Sequence, residues 1–468
     1  MSDTVQPIRP ASPPRLRRGL RVLGALLITL SAITPASSVF IIAPGVIKQA
    51  GTGAIWSFLA AAVVGVFMAF VYAELASAFP LTGGEYAIVG RTLGRLPGFM
   101  IMGLILVTQV IIIAVIALGV GIYLSAVFHD LNGPVVAAIT VVVAAVFGVL
   151  DVRLNAWVTG IFLAIEIIAL VVVSMLGFIN VERPLFAEPV AGSPPAAVTF
   201  GVIGAATAIA IFAYNGYGSA VVLGEETTDA SRGIARTILW ALGITVIAEL
   251  VPVIAVLLGS PSLDALFGAD NLMEYFITSR SSTTLNNVIS LAIALAIINA
   301  VLAILLLTAR LFFSTGRDAV WPRPANRALS AIHPRFHTPW IATLIVGVLA
   351  TVACFIDLDV LLVMTGSTLI VIYASLCLAA IVGRRNGSTS HSAYKMRWFP
   401  IPPILALAAL VYVTWQTAKD TVVGRPSLLV TLGILVAAAI YYFFRRREWT
   451  LRGPDEDQVA EEPPPHAI

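Results

Sequence analysis

Apolar residues in this chain neither alternate with polar ones, as in a half-buried strand, nor keep to a single stripe of a helix. They run on in long blocks, with most of the charges collected in the short segments between. A block of about 18 residues or more crosses a hydrocarbon layer of about 30 Å as a helix. The blocks predict helices near residues 21–47, 54–79, 98–127, 133–150, 155–179, 199–223, 234–258, 285–312, 338–356, 359–383, 401–418 and 427–444, twelve spans in all.

Two of the twelve are interrupted in the middle. The first reads SAITPASSVF, where Pro35 removes a backbone donor and crowds the preceding turn, and Ala36, Ser37 and Ser38 follow. The sixth reads IFAYNGYGSA, with Asn215, Gly216 and Gly218 in its centre. Free N–H and C=O groups in hydrocarbon cost several kcal/mol each, so irregular backbone survives there only inside the protein or beside a watery cavity. Five crossings separate the two breaks, so the two helices enter from opposite sides.

This spacing predicts a fold class: an all-α polytopic membrane protein with 12 transmembrane helices. They form two inverted five-helix repeats plus two C-terminal helices, with helices 1 and 6 discontinuous. The repeats occupy residues 20–180 and 198–383, and the last two helices 399–446. Residues 1–19, rich in Pro and Ser, and the acidic, Pro-rich 447–468 are expected to be disordered tails. Half-helix ends meeting at mid-depth suit a zwitterion. The exposed N–H groups and positive dipole end take a carboxylate, and the exposed carbonyls take an ammonium group. A kink that serves only packing is the competing reading of either break alone.

Composition supports the membrane reading and fixes an orientation. Of the 468 residues 59% are hydrophobic and 11% charged, with mean hydropathy +0.96, against about 25% charged residues in a soluble domain. Sorting the basic residues by alternate loops puts 23 of the 28 Lys and Arg on one side, leaving Lys48, Arg183, Arg280, Lys419 and Arg425 on the other. The positive-inside rule then places both termini in the cytoplasm. A net charge of +3 shows no nucleic-acid signature. The two cysteines, Cys354 and Cys377, sit in apolar runs and are read as core residues. His333 and His337 are separated by Pro334 and lack a third ligand, so no metal and no cofactor is expected, and no nucleophile, phosphate-loop or zinc motif points to an enzyme.

Three stretches carry a resemblance: VYAELASAFPLTGGEYAIVGRTLG at 71–94, FAYNGYGSAVVLGEETTDASRGIARTI from Phe212, and NAVLAILLLTARLFFSTGRDAVWP at 299–322. Together they resemble the amino acid–polyamine–organocation permeases over roughly residues 20–445. The resemblance implies substrate contacts from Pro35, Ala36, Ser37 and Ser38 in span 1 and from Ala213, Tyr214, Asn215, Gly216 and Tyr217 in span 6. Tyr214 and Gly216 are expected to offer carbonyls to an amino group, and Tyr217 to act as an aromatic gate. Ala36, Ser37 and Ser38 stand where many relatives carry a Gly-Ser-Gly-like triplet, a departure that brings Cβ atoms to the site. Thr365, Gly366 and Ser367 in span 10 and Gln109 in span 3 are expected to complete the pocket.

Acids inside a membrane are functional candidates by default, since a central charge costs about 2.5–3.5 kcal/mol on insertion scales. Glu166 in span 5 stands at the position where, by the resemblance, proton-coupled relatives carry a lysine like a built-in cation. Here the residue is acidic and is the proton-coupling candidate, with a structural, hydrogen-bonded acid as the alternative. Glu249 in span 7 is read as structural, held by a hydrogen bond, and Glu74 and Arg310 as helix anchors. Span 8 offers Asn299 but no hydroxyl near its centre, which disfavours sodium. With no fixed carboxylate beyond Glu166 facing the expected pocket, a neutral substrate is favoured over a cationic one. The expected function is therefore secondary transport of an amino acid across the plasma (inner) membrane by alternating access, with protons as co-substrate and the lipid bilayer as surroundings. An exchanger, a polyamine or organic amine permease, and a transporter-like nutrient sensor are the alternatives. Nothing in the sequence fixes the oligomeric state.

Overall fold

The computed structural model describes residues 21–80, 83–125, 127–128, 131–150, 156–184, 198–227, 230–336 and 338–451. The expected tail 1–19 lies outside them, as does 452–468. The described residues are helical, with no β-strand element among them. In chain order the helices are α1 (Val22–Ile33), α2 (Pro35–Ser37), α3 (Ala43–Ala50), α4 (Ala54–Ala78), α5 (Gly84–Thr92), α6 (Arg95–Ser125), α7 (Gly133–Val149), α8 (Ala156–Ile179) and α9 (Phe200–Ala213). There follow α10 (Ala230–Gly259), α11 (Leu263–Gly268), α12 (Leu272–Arg280), α13 (Thr283–Arg317), α14 (Arg323–Leu329), α15 (Trp340–Ala353), α16 (Leu358–Asn386), α17 (Ile401–Lys419) and α18 (Gly424–Arg445).

Nine segments among the described residues are long and apolar enough to cross a membrane, and α7 and α15 are shorter apolar helices. The first of the nine, Val22–Ala78, is one stretch of 57 residues that folds back at the tight turn Gly51–Gly53. The core is largely apolar, with a few buried acids such as Glu74, Glu166 and Glu249 set into it: α10 packs on α4 and α8, α13 on α6, and α7 on α6 and α15. The outer helices turn large apolar side chains outward, Ile139, Ile247, Val411 and Phe444 among them. A soluble surface would hide these, whereas lipid tails are as apolar as the side chains and leave no cost in exposing them.

Two connections are more ordered than their sequences suggest. The loop after span 2 forms α5, which is tied to the end of α13 by Tyr86, whose hydroxyl lies 2.9 Å from Ser314 Oγ and donates to Asp318 Oδ2 at 2.9 Å. Gly90 and Gly98 let α5 and α6 meet backbone to backbone, since a Cβ on Gly98 would lie 2.4 Å from the Gly90 Cα. Residues 447–451, placed in the tail by the sequence reading, fold back on this corner. Trp449 is fully buried against the edge of Phe99, and the Thr450 N–H donates to Asp318 O at 3.1 Å. The expected anchor is present too: Glu74 receives two hydrogen bonds from Arg384, at 2.6 and 2.7 Å, and a third from the Met396 N–H at 2.7 Å. Cys354 and Cys377 are buried and unpaired.

Candidate functional site

Span 1 breaks one residue earlier than the proline. α1 ends at Ile33, Thr34 adopts φ +48°, and Pro35 starts α2. Proline disfavours helical geometry in the residue before it and is itself well placed at a first helical position. Left-handed backbone costs a β-branched residue about 1–2 kcal/mol, so the conformation needs support from outside the helix. Glu166 supplies it. Its Oε2 accepts from the Thr34 hydroxyl at 3.2 Å and from the Ala36 N–H at 3.3 Å. Thr34 Oγ1 also lies 2.9 Å from Ser37 Oγ. Beyond Ser37 the chain widens into a π-helical turn, Ser38–Ile42.

Span 6 breaks by the opposite means. α9 ends at Ala213, and the Asn215 N–H closes a tight turn onto Phe212 O at 3.0 Å. Gly216 then takes φ +118°, a conformation that L side chains rarely adopt. The chain continues as a 3-10 segment, Tyr217–Glu226. The two breaks touch, because a Cβ on Gly216 would lie 2.8 Å from Ile33 Cγ1 and 3.1 Å from the Ile33 Cα. A second link crosses them: the Ser38 hydroxyl donates to Ala213 O at 2.8 Å.

A cavity of about 850 Å³, its open mouth included, begins at this junction. Of the residues expected to contact substrate, Ser38, Ala213, Asn215 and Gly216 line it. Pro35, Ala36, Ser37, Tyr214 and Tyr217 do not: they are buried beside it. The Gly216 carbonyl accepts from the Ser219 N–H at 2.9 Å. Tyr217 packs edge-on against Tyr72, with ring centroids 5.7 Å apart, and Tyr72 meets Tyr373 at 5.9 Å. Gln109 faces the cavity as expected, but span 10 contributes Leu369 and Ile372 in place of Thr365, Gly366 and Ser367. Those three lie where α16 approaches α9, and a Cβ on Gly366 would stand 3.1 Å from Ala208 O. Tyr72, Ile105, Leu307, Leu311 and Glu85 also line the cavity, and the neighbouring Gly84 lies against Leu311 near the end of α13.

Two acids need correction against the sequence reading. Glu249 is fully buried, yet neither of its oxygens has a hydrogen-bond partner. The Ser38 hydroxyl lies beside it but spends its proton on Ala213 O, so the structural hydrogen bond expected for Glu249 is not formed. Glu85, which the sequence reading passed over inside TGGEYAI, is the one charged residue among those lining the cavity. The hydroxyl of Tyr72 donates to its Oε1 at 3.2 Å. Its signal was a carboxylate directly after a glycine pair and between apolar neighbours. Burial pushes the Glu85 carboxyl above the usual carboxylate range, against the lowering effect of its own backbone N–H and of Tyr72. With a carboxylate on the cavity wall, the ground for preferring a neutral substrate falls away. Of the two histidines, His337 is outside the described residues, and His333 Nδ1 accepts from the Arg335 and Phe336 N–H groups at 3.2 Å.

The chain is similar along most of its length to known transporters. Residues 20–440 match the model of the amino acid permease family. The branched-chain amino acid permease BcaP of Bacillus subtilis is 25% identical over 439 residues, covering 89% of this chain and 92% of its own. An uncharacterized transporter of Mycobacterium tuberculosis is 31% identical over 356 residues, 74% of this chain and 76% of its own. Human cationic amino acid transporter 4 is 24% identical over 410 residues, 81% of this chain and 61% of its own. A multi-pass membrane protein matched from residue 20 to residue 440, the chain belongs to the amino acid permease family.

Proposed function

We propose that the protein carries an amino acid across the plasma membrane by alternating access, with protons coupled through Glu166 and both termini in the cytoplasm. The observation that carries the proposal is the contact of Gly216 with Ile33, which puts two interrupted helices at one level over one cavity. The twelve-span count and the inverted repeats belong to the same proposal. Twelve follows if the turn at Gly51–Gly53 divides the first apolar segment into two crossings and α7 and α15 cross as well. The names of the relatives, a branched-chain amino acid permease and a cationic amino acid transporter, support an amino acid as cargo.

Glu166 fits the coupling role because it clasps the break itself. As a carboxylate it accepts from Thr34 and Ala36, and hydrogen bonds to a charged acceptor are roughly twice as strong as neutral ones. Protonation removes the charge, weakens both bonds and loosens α1 from α8. A proton thus acts on the hinge of span 1, and by linkage the hinge position acts on proton affinity. Reconstitution in liposomes with an imposed pH gradient tests this. Glu166→Gln is expected to abolish proton-driven accumulation while keeping counterflow of labelled substrate, and undiminished accumulation by the variant removes Glu166 from the coupling. Counterflow with no response to the gradient, in the unmodified protein, makes it an exchanger.

One observation favours a second reading, a polyamine or other organic amine. The Ala36 N–H, a donor that a substrate carboxylate would use, is turned to Glu166. Binding unaffected by removal of the substrate carboxylate selects that reading.

A further inference from the structure

The cavity combines apolar surface with a carboxylate. It is lined by groups of the breaks, Ser38, Ala213 and Asn215, by aliphatic side chains, Ile105, Leu307 and Leu311 among them, and by Glu85, which Tyr72 links to Gly218 of span 6. Among the described residues that line it there is no lysine, arginine or histidine, so the Glu85 carboxylate has no cation to meet inside the cavity. The titratable neighbours are phenols. Tyr72 donates to Glu85 from α4, and Tyr373 of α16 and Tyr217 both pack edge-on against Tyr72. On its own helix, Tyr86 is turned away to Ser314 and Asp318. A buried carboxylate is costly unless it is paired or gives up its charge, and burial already pushes this one upward.

We infer that Glu85, steadied by Tyr72, is a subsite for the positive end of the cargo, and that the preferred substrate is an amino acid with an apolar stem ending in a cation. The inference rests on the proposed amino acid transport and specifies its substrate class. Long cationic side chains lay an apolar stem along aliphatic surface and keep the head group for a polar partner. The cavity offers both, aliphatic surface from Ile105, Leu307 and Leu311 and the Glu85 carboxylate, with the α-amino and carboxylate groups left to the breaks. Diamines share the terminal cation and the stem, and differ in lacking the carboxylate that the Asn215 amide, on the cavity wall at the break of span 6, would receive.

Binding to the purified full-length chain in detergent, by calorimetry, tests the subsite with four probes: lysine, norleucine, leucine and cadaverine. Lysine is expected to bind at least about tenfold tighter than norleucine, which has a similar stem without the cation. Glu85→Gln is expected to lower lysine affinity by roughly tenfold to a hundredfold, the range for losing a charged hydrogen-bond partner. It leaves norleucine unchanged, which also shows that the variant is folded, and Glu85→Asp restores part of the preference. The lysine-to-norleucine ratio falls as the buffer is acidified, because protonation of Glu85 removes the charge that the head group meets. Equal binding of lysine and norleucine overturns the subsite, as does a lysine preference that survives in Glu85→Gln. Cadaverine binding as tightly as lysine overturns the amino acid class in favour of a diamine. Leucine binding without lysine preference leaves the proposed amino acid transport standing and sinks only the inference, whereas no binding by any of the three amino acids sinks both.

Discussion

The two helix breaks reach the same result by different chemistry. Span 1 is broken by hindrance: Pro35 drives Thr34 out of the right-handed helix, and an acid from another helix holds it in a left-handed conformation that a β-branched residue resists. Span 6 is broken by freedom: Gly216 adopts φ +118° at little cost and is held by packing against Ile33. The first break therefore answers to charge and the second to size. This difference would suit the coupled carrier proposed above, with a proton on Glu166 acting on one hinge while the other stays a fixed seat for cargo.

The comparison breaks most sharply at Gly216. Gly216→Ala adds a Cβ that would lie 2.8 Å from Ile33 Cγ1 and holds an L residue at φ +118°. Strain of that kind costs on the order of 1–3 kcal/mol, and the backbone of Ile33, 3.1 Å away, gives less readily than a side-chain tip. The expected outcome is a fall in melting temperature of several degrees with loss of uptake. Normal stability and normal uptake would show that the seat of span 6 is not set by size. Ser38→Ala is expected to act less strongly. It removes the link to Ala213 O and costs about 1 kcal/mol, read as a severalfold weaker apparent substrate affinity in counterflow with the maximal rate kept. A rate loss at unchanged affinity would mean that Ser38 serves the motion and not the seat.

Much of this arrangement was legible in the sequence. Long apolar blocks marked the helices because a hydrocarbon solvent imposes length and composition on every crossing. Both breaks were visible because proline and glycine punctuate helices for reasons local to the backbone. What local rules miss is the partner across space. Thr34 lies beside the quoted proline and was accessible to the rule that the residue before proline leaves the helix. That Glu166 meets Thr34, 132 residues earlier in the chain, follows only from how α8 packs on α1 and α2. Glu85 was hidden for a related reason: as a loop residue it reads as solvated until α5 is seen folded against the cavity. Span 10 misled through its polarity. Thr365 and Thr368 spend their hydroxyls on the Leu361 and Thr365 carbonyls of their own helix, so the apolar Leu369 and Ile372 face the cavity instead.

The finest test of the comparison lies at Glu249, one side chain away from the link between the breaks. Glu166 and Glu249 are both fully buried, but donors from span 1 reach only Glu166, and the hydroxyl beside Glu249 is given to Ala213 O. Replacing a carboxyl that has no partner by an amide of the same shape removes no hydrogen bond, so Glu249→Gln is expected to change stability by less than about 1 kcal/mol. Under the proposed coupling, the same exchange at Glu166 is expected to weaken two bonds at the hinge and to stop proton-driven accumulation. If coupling depends on grip at the break and not on burial of an acid as such, Glu249→Gln accumulates substrate under a pH gradient as the unmodified protein does. A variant that folds normally but loses accumulation would shift the coupling from Glu166 to Glu249. The route would then run from the buried acid through the Ser38 hydroxyl to Ala213 O, and the seat in span 6 would answer to charge as well as to size.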